Sequence, residues 1–91
     1  MYVLLDGSTI STREELHDAL LDILPLPPWY GRNLDALYDS LGDIRRRVDI
    51  HLRGVDALQE HLGGYAGAFL EVLTRSAEEN PRLTLTLDDD E

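Results

Sequence analysis

The chain has 91 residues and no cysteine, and its 18 Asp and Glu residues against 8 Arg give it a net charge of −10. This length predicts one domain with a modest core. The lack of cysteine excludes disulfides, thiolate metal sites and a cysteine nucleophile. The negative charge argues against nucleic-acid binding, because phosphate backbones repel it, and favours a basic protein as partner.

The first part of the chain predicts a strand and then a helix. Tyr2–Leu5 is a short apolar run ended by the turn pair Asp6–Gly7, and its length suits a strand buried on both faces. Two pairs can form a capping box, Ser11 with Glu14 or Thr12 with Glu15. An amphipathic helix of about 12 residues follows. The prolines at positions 25, 27 and 28 end it.

The rest of the chain predicts three more helices and two more strands. The first is a short helix, Leu34–Leu41, with Asn33 as N-cap and Gly42 as C′ residue. A half-buried strand, Val48–Arg53, follows and is closed by Gly54. The remaining elements are a helix Val55–Leu62 ending at Gly63–Gly64, a helix over Ala66–Ala77 finishing near Asn80–Pro81, and a strand of alternating leucines, Leu83–Leu87. Asp88–Glu91 is interpreted as a disordered acidic tail, so that the predicted domain spans residues 1–87.

The resulting order is β-α-α-β-α-α-β. Helices between successive strands favour a parallel sheet, because crossovers of this kind return the chain in the same direction. We therefore predict a small single-domain α/β fold with a three-stranded parallel sheet and about four helices.

The short second helix carries acids where its own stability opposes them. Asp35 and Asp39 lie four residues apart on one helix face, a like-charge spacing that costs about 0.2–0.5 kcal/mol. The helix dipole favours Asp35 in the first turn and disfavours Asp39 in the last, and Asp43 adds a third acid beyond. Aromatic residues flank them at Trp29, Tyr30 and Tyr38. The pattern is typical of a protein interface, although a surface helix with ordinary solvated acids is an alternative.

The segment Tyr30–Leu41, preceded by Leu26–Pro27, resembles the ribonuclease-binding segment of the barstar family. The family pattern is Leu-Pro, two residues, Tyr-Gly-x-Asn-Leu-Asp-Ala-Leu, an aromatic residue and Asp. The resemblance covers the whole length. It implies a small cytoplasmic inhibitor that plugs the active site of a basic, barnase-type secreted ribonuclease and thereby acts as an immunity protein for the producing cell.

The resemblance also implies roles for individual residues. The family's central acid, which occupies the phosphate site of the enzyme, falls at Asp39, and its companion acid falls at Asp35. The predicted partner contacts are Trp29, Tyr30, Gly31, Asn33, Leu34, Asp35, Tyr38, Asp39, Asp43 and Glu79. The chain departs from the family at Arg75, where an acid is expected, and in the basic run Arg45–Arg47. We interpret that run as a solvated loop, or else as a feature that resets partner choice by repulsion.

Other functions are less well supported by the residues. Asp35 and Asp39 could form an acid–base pair, but exposed acids at this spacing are usually solvated, so we predict no enzyme and no catalytic residue. The histidines His17, His51 and His61 lack ligand spacing and are interpreted as surface or edge residues, so we predict no metal and no cofactor. The acidic end lacks the spaced ligands of a calcium loop.

We expect a cytoplasmic protein that is a monomer when free. The N-terminus lacks a basic segment followed by an apolar one, and no apolar run approaches the roughly 20 residues of a membrane span. The alternative function is a barstar-like binding module whose partner is another nuclease toxin or a basic protein that is not a ribonuclease.

Overall fold

Three parallel strands in the order β1-β2-β3 form the sheet in the computed structural model of the protein, which describes residues 1–88. The strands are β1 Tyr2–Asp6, β2 Val48–Arg53 and β3 Leu83–Leu87. The helices are α1 Arg13–Ile23, α2 Leu34–Gly42, α3 Val55–Leu62 and α4 Gly64–Glu79, and a 3₁₀ turn spans Gly7–Thr9. The predicted fold and element order are confirmed. No helix within the described residues is both long and apolar enough to cross a membrane.

The helices cover only one face of the sheet. Val3 pairs with Ile50 and Leu5 with Leu52 on the covered face, and these four side chains are buried. On the other face Tyr2 and Leu4 are 62% and 41% exposed. The prediction that the first strand is buried on both faces is therefore wrong, because within residues 1–88 no second helical layer covers the outer face.

Helix caps account for where α1 and α2 begin. Of the two possible pairs at α1, the structure uses Thr12 and Glu15: the Thr12 hydroxyl accepts from the Glu15 N–H at 3.1 Å. At α2 the Asn33 side chain accepts from the Ala36 N–H at 2.7 Å, as predicted for an N-cap. The prediction of Gly42 as C′ residue is wrong. Gly42 is the last residue of the helix, and the C-cap Asp43 keeps right-handed helical angles, so no left-handed glycine is needed.

The core positions α2 through two leucines. Leu37 and Leu41 are fully buried, together with Leu16 of α1 and Phe69 of α4. Leu34, the third predicted core leucine of α2, is half-buried at the start of the helix.

At the far end of the chain the Asp88 N–H donates to the Leu52 carbonyl at 2.8 Å. The other predicted tail residues, 89–91, lie outside the described residues.

The end of β1 passes close to the end of β2 at two glycines. Gly54 adopts left-handed angles (φ 69°) just before α3. A Cβ atom on Gly7 would lie 2.5 Å from the Gly54 carbonyl oxygen and 2.8 Å from the Leu58 Cβ. Since a backbone atom and a core side chain block this position, only glycine fits the turn that follows β1.

We predict that Gly7→Ala lowers the free energy of unfolding by about 1–3 kcal/mol, because the added methyl forces the Gly54–Leu58 backbone outward. Chemical denaturation followed by circular dichroism measures the change. Gly67→Ala is the matched control: among residues 1–88 no atom beyond its own stretch of helix lies within 4 Å of where the methyl would go, and in a helix interior alanine stabilises by roughly 0.5–1 kcal/mol. Equal effects of the two substitutions would contradict the steric explanation.

Candidate protein-binding surface

The acids of α2 and of its C-cap lie on the surface, and the described part of the chain gives them no cationic partner. Asp35, Asp39 and Asp43 are all exposed, and within residues 1–88 none of them forms a salt bridge. Asp39 and Asp43 border two neighbouring grooves of about 710 and 450 Å³. Asp35 borders neither of these and lies instead along α4, beside Leu34 and Tyr38. Asp39 therefore lies on the ridge between the two grooves, with Asp43 beside it.

The larger groove, which we call the main groove, runs between the proline-rich loop and the end of α2. Its lining includes Trp29, Gly31, Asp39, Asp43, Arg45 and Arg46. Trp29 is 80% exposed, so its indole is available to pack against another molecule. The arginines bring positive charge into a surface that the sequence predicted as acidic.

The smaller groove, the second groove, joins α2 to the end of α4. The Tyr38 hydroxyl donates a hydrogen bond to the Glu79 carboxylate, and this bond raises the pKa of Tyr38. Both residues were predicted as partner contacts, and the structure places them together beside Asp39. Arg75, the departure from the family pattern, forms a salt bridge with Glu71 one turn earlier in α4, at 3.5 Å.

Tyr30 anchors the loop from behind. Its side chain is only 6% exposed, and its hydroxyl lies 2.6 Å from Nδ1 of His17. Nε2 of the same histidine lies 2.7 Å from the hydroxyl of Tyr65 in α4. The phenol ring of Tyr30 therefore faces the interior, where it anchors the loop, and little of the ring is exposed to a partner.

His17 is 1% exposed, so its interpretation as a surface or edge residue is wrong. Burial lowers the pKa of His17, and burial raises the pKa of Tyr30 to about 12. A neutral imidazole donates from one nitrogen and accepts at the other, which satisfies both hydroxyls at once. The side chain thus connects α1, the loop and α4.

The rest of the loop is held by Arg32 and Asn33. Arg32 has left-handed angles (φ 58°), which are uncommon for a non-glycine residue. Its side chain contacts α1: the guanidinium donates to the Asp18 carboxylate and to the Glu14 carbonyl, the latter at 3.3 Å. The Asn33 side chain caps α2 and also donates to the Gly31 carbonyl at 3.3 Å.

Asn80 holds the other end of α2. This residue is buried, and its amide nitrogen donates to the Leu41 carbonyl at 2.9 Å and to the Ile44 carbonyl at 3.1 Å. Its side-chain oxygen accepts from the Arg82 N–H at 3.0 Å. One side-chain amide therefore links the end of α2, and the chain that follows it, to the residue that caps α4.

Sequence reasoning missed three residues that support the surface: His17, Tyr65 and Asn80. The sequence indicated Asn80 only as the end of a helix. The side-chain amide of an asparagine after an apolar helix can also form hydrogen bonds with the backbone of a neighbouring segment. Nothing near His17 or Tyr65 in sequence indicates that they meet, since they are 48 residues apart. Among residues 1–88 no group of three His, Cys, Asp or Glu side chains could hold a metal ion.

Comparison with known proteins identifies the family of this chain. The family model described as Barstar (barnase inhibitor) matches residues 1–88. The chain belongs to the barstar family. It is also 40% identical, over 78 residues that make up 85% of this chain and 86% of the relative, to a Bacillus subtilis (strain 168) protein named "Putative ribonuclease inhibitor YrdF". Both the family and this relative are named as inhibitors of ribonucleases.

We predict that the buried His17 makes the protein less stable as the pH falls below about 6.5, the ordinary pKa of histidine. The pKa of His17 is lowered in the folded state, so below pH 6.5 the unfolded chain binds more protons and the free energy of unfolding decreases. Urea denaturation of the parent and of His17→Gln, each at about pH 7.5 and 5.5, measures this. The parent should lose more stability between the two pH values than the variant, which cannot titrate; equal losses would contradict the assignment.

We predict that Asn80→Asp destabilises the fold by at least about 2 kcal/mol, because it removes two donated hydrogen bonds and turns a carboxylate toward two carbonyl oxygens. Thermal unfolding followed by circular dichroism measures the change. Glu78→Ala, an exposed neighbour in the last turn of α4, is the control and should stay within about 0.5 kcal/mol. An Asn80→Asp protein as stable as the control would show that the amide does not hold α2.

Proposed function

We propose that this chain inhibits a basic, barnase-type secreted ribonuclease inside the producing cell by occluding its active site with α2 and the preceding loop. Membership of the barstar family and a relative named as a ribonuclease inhibitor support the ribonuclease as target. The observation that carries the proposal is Asp39, an exposed carboxylate that forms no salt bridge among the described residues, on a helix that is fixed at both ends.

The chemistry of the target fits that carboxylate. A ribonuclease active site binds phosphate and therefore presents cationic donors. A carboxylate on a rigid helix can take the place of a phosphate oxygen and accept short, charge-assisted hydrogen bonds from them. Asp35 and Asp43 lie on either side of Asp39 along the chain and add negative charge, while Trp29 supplies an apolar contact next to it.

The charge of the whole chain supports fast encounter. A net charge of −10 attracts a basic enzyme over several ångströms and raises the association rate, particularly at low salt. No bond is made or broken in this mechanism. The inhibitor acts as a cytoplasmic monomer that fills the site which RNA would otherwise enter.

We predict that the protein inhibits a purified barnase-type ribonuclease stoichiometrically in an RNA-cleavage titration. Asp39→Ala should weaken inhibition by at least about 2 kcal/mol, which is about 30-fold, because it removes the central carboxylate. The same variant should be as stable as the parent or slightly more stable, since it relieves like-charge repulsion and an unfavourable helix-dipole contact worth about 0.2–1 kcal/mol.

Asp22→Ala is the matched control for this titration. Asp22 is exposed and lies in the last turn of α1, as Asp39 does in α2, but it borders neither groove. Its loss changes the net charge equally and should leave inhibition nearly unchanged. No inhibition by the parent would exclude the proposed target, whereas equal inhibition by parent and Asp39→Ala would exclude the proposed site.

A further inference from the structure

Two arginines share the main groove with the acids of α2. Arg45 and Arg46 both border this groove, together with Asp39 and Asp43. Arg45 also borders the second groove, on the other side of Asp39. The basic run is solvent-exposed, and two of its three residues line the proposed binding face.

Neither arginine side chain has a hydrogen-bonding or charged partner among residues 1–88. Each is exposed, and in the part of the chain that the structure describes neither guanidinium forms a salt bridge or a side-chain hydrogen bond. Three of the other arginines are engaged: Arg32 binds Asp18, Arg75 binds Glu71, and the guanidinium carbon of Arg13 lies 4.2 Å from the ring centre of Tyr65. The main groove therefore presents charges of both signs that have no salt-bridge partner among residues 1–88.

We propose that Arg45 and Arg46 bind a carboxylate of the target ribonuclease, at a position beside the phosphate-binding pocket that receives Asp39. This inference rests on the proposed function and deepens it, since it states which ribonucleases the chain accepts. The target has mixed charge at its active-site face. Enzymes with lysine or arginine opposite the 45–46 pair are rejected.

Charge complementarity across a desolvated surface favours a carboxylate as the partner of the two arginines. Two guanidinium groups facing only cations would repel them, and unpaired charges buried in an interface weaken binding. Arginine binds a carboxylate through two parallel hydrogen bonds, which gives the pair a defined geometry. A ribonuclease also needs a general base, and a carboxylate is one of the groups that serve. A carboxylate next to phosphate-binding cations is therefore one arrangement that such an active site can have.

The test is the RNA-cleavage titration of a purified barnase-type ribonuclease with the double variant Arg45→Ala/Arg46→Ala. Inhibition should weaken at least about tenfold, a change equivalent to one lost charged hydrogen-bonding contact. Arg47→Ala is the matched control, because Arg47 is exposed and belongs to the same run but borders neither groove. It should stay within about threefold of the parent. Circular dichroism of all variants confirms that they fold.

Two further variants, a charge reversal in the inhibitor and an amide substitution in the enzyme, test the contact between the arginines and the carboxylate directly. Arg45→Glu/Arg46→Glu should weaken inhibition more than the alanine pair does. Replacing the facing carboxylate of the enzyme by its amide should reduce the effect of the alanine pair, as a double-mutant cycle measures.

The outcomes separate the two proposals. If Asp39→Ala loses inhibition while the arginine double variant inhibits as well as the parent or better, the carboxylate partner is overturned and the proposed function stands. If Arg47→Ala weakens inhibition as much as the double variant, the effect is not specific to the two arginines of the main groove, and the inference is again overturned. If the parent inhibits no barnase-type ribonuclease, the proposed function fails and the inference fails with it.

Discussion

The amide of Asn80 is the interaction on which the position of the acidic helix depends. α2 has nine residues, fewer than the roughly 12–15 that an isolated helix needs, so tertiary contacts must hold it. Asn80 binds carbonyls at its C-terminal end, Asn33 caps its N-terminal end, and Leu37 and Leu41 bury its inner face. Because the helix is stabilised from three sides, it tolerates acids that its dipole and their mutual repulsion disfavour.

The loop before α2 is fixed in a comparable way from α1. His17 binds the Tyr30 hydroxyl in the interior, and Asp18 accepts a hydrogen bond from the guanidinium of Arg32, whose backbone is left-handed. A surface that is already ordered loses less conformational entropy on binding than a mobile loop does. The side-chain contacts of Arg32 and the buried histidine thus both hold the loop against α1, next to the helix that carries Asp39.

Local patterns in the sequence predict most of the elements, and the residues show why. The alternation in Val48–Arg53 and the helical spacing of Val55–Leu62, bounded by Gly54 and Gly63, reproduce the observed limits, because both depend on neighbouring residues. The errors about burial involve distant contacts. The outer face of β1 is open because none of the described helices crosses it, and His17 is buried because Tyr30 and Tyr65 converge on it.

The candidate surface also combines features that the local sequence predicts with features that depend on the fold. Asn33 as a cap and the exposure of the α2 acids follow from the local pattern. The placement of Arg45 and Arg46 in the main groove does not, since it depends on how the chain turns after α2 to enter β2. A basic run reads as solvated in isolation, and only the fold shows that it borders the same space as Asp39.

The exposure of Trp29 gives the molecule a built-in optical reporter. It is the only tryptophan in the chain, and its indole is already in contact with water in the folded state. Unfolding therefore changes the surroundings of this fluorophore little, whereas a protein that covers the main groove removes it from solvent. Its emission distinguishes occupancy of the surface from loss of structure, two events that a measurement of inhibition alone does not separate.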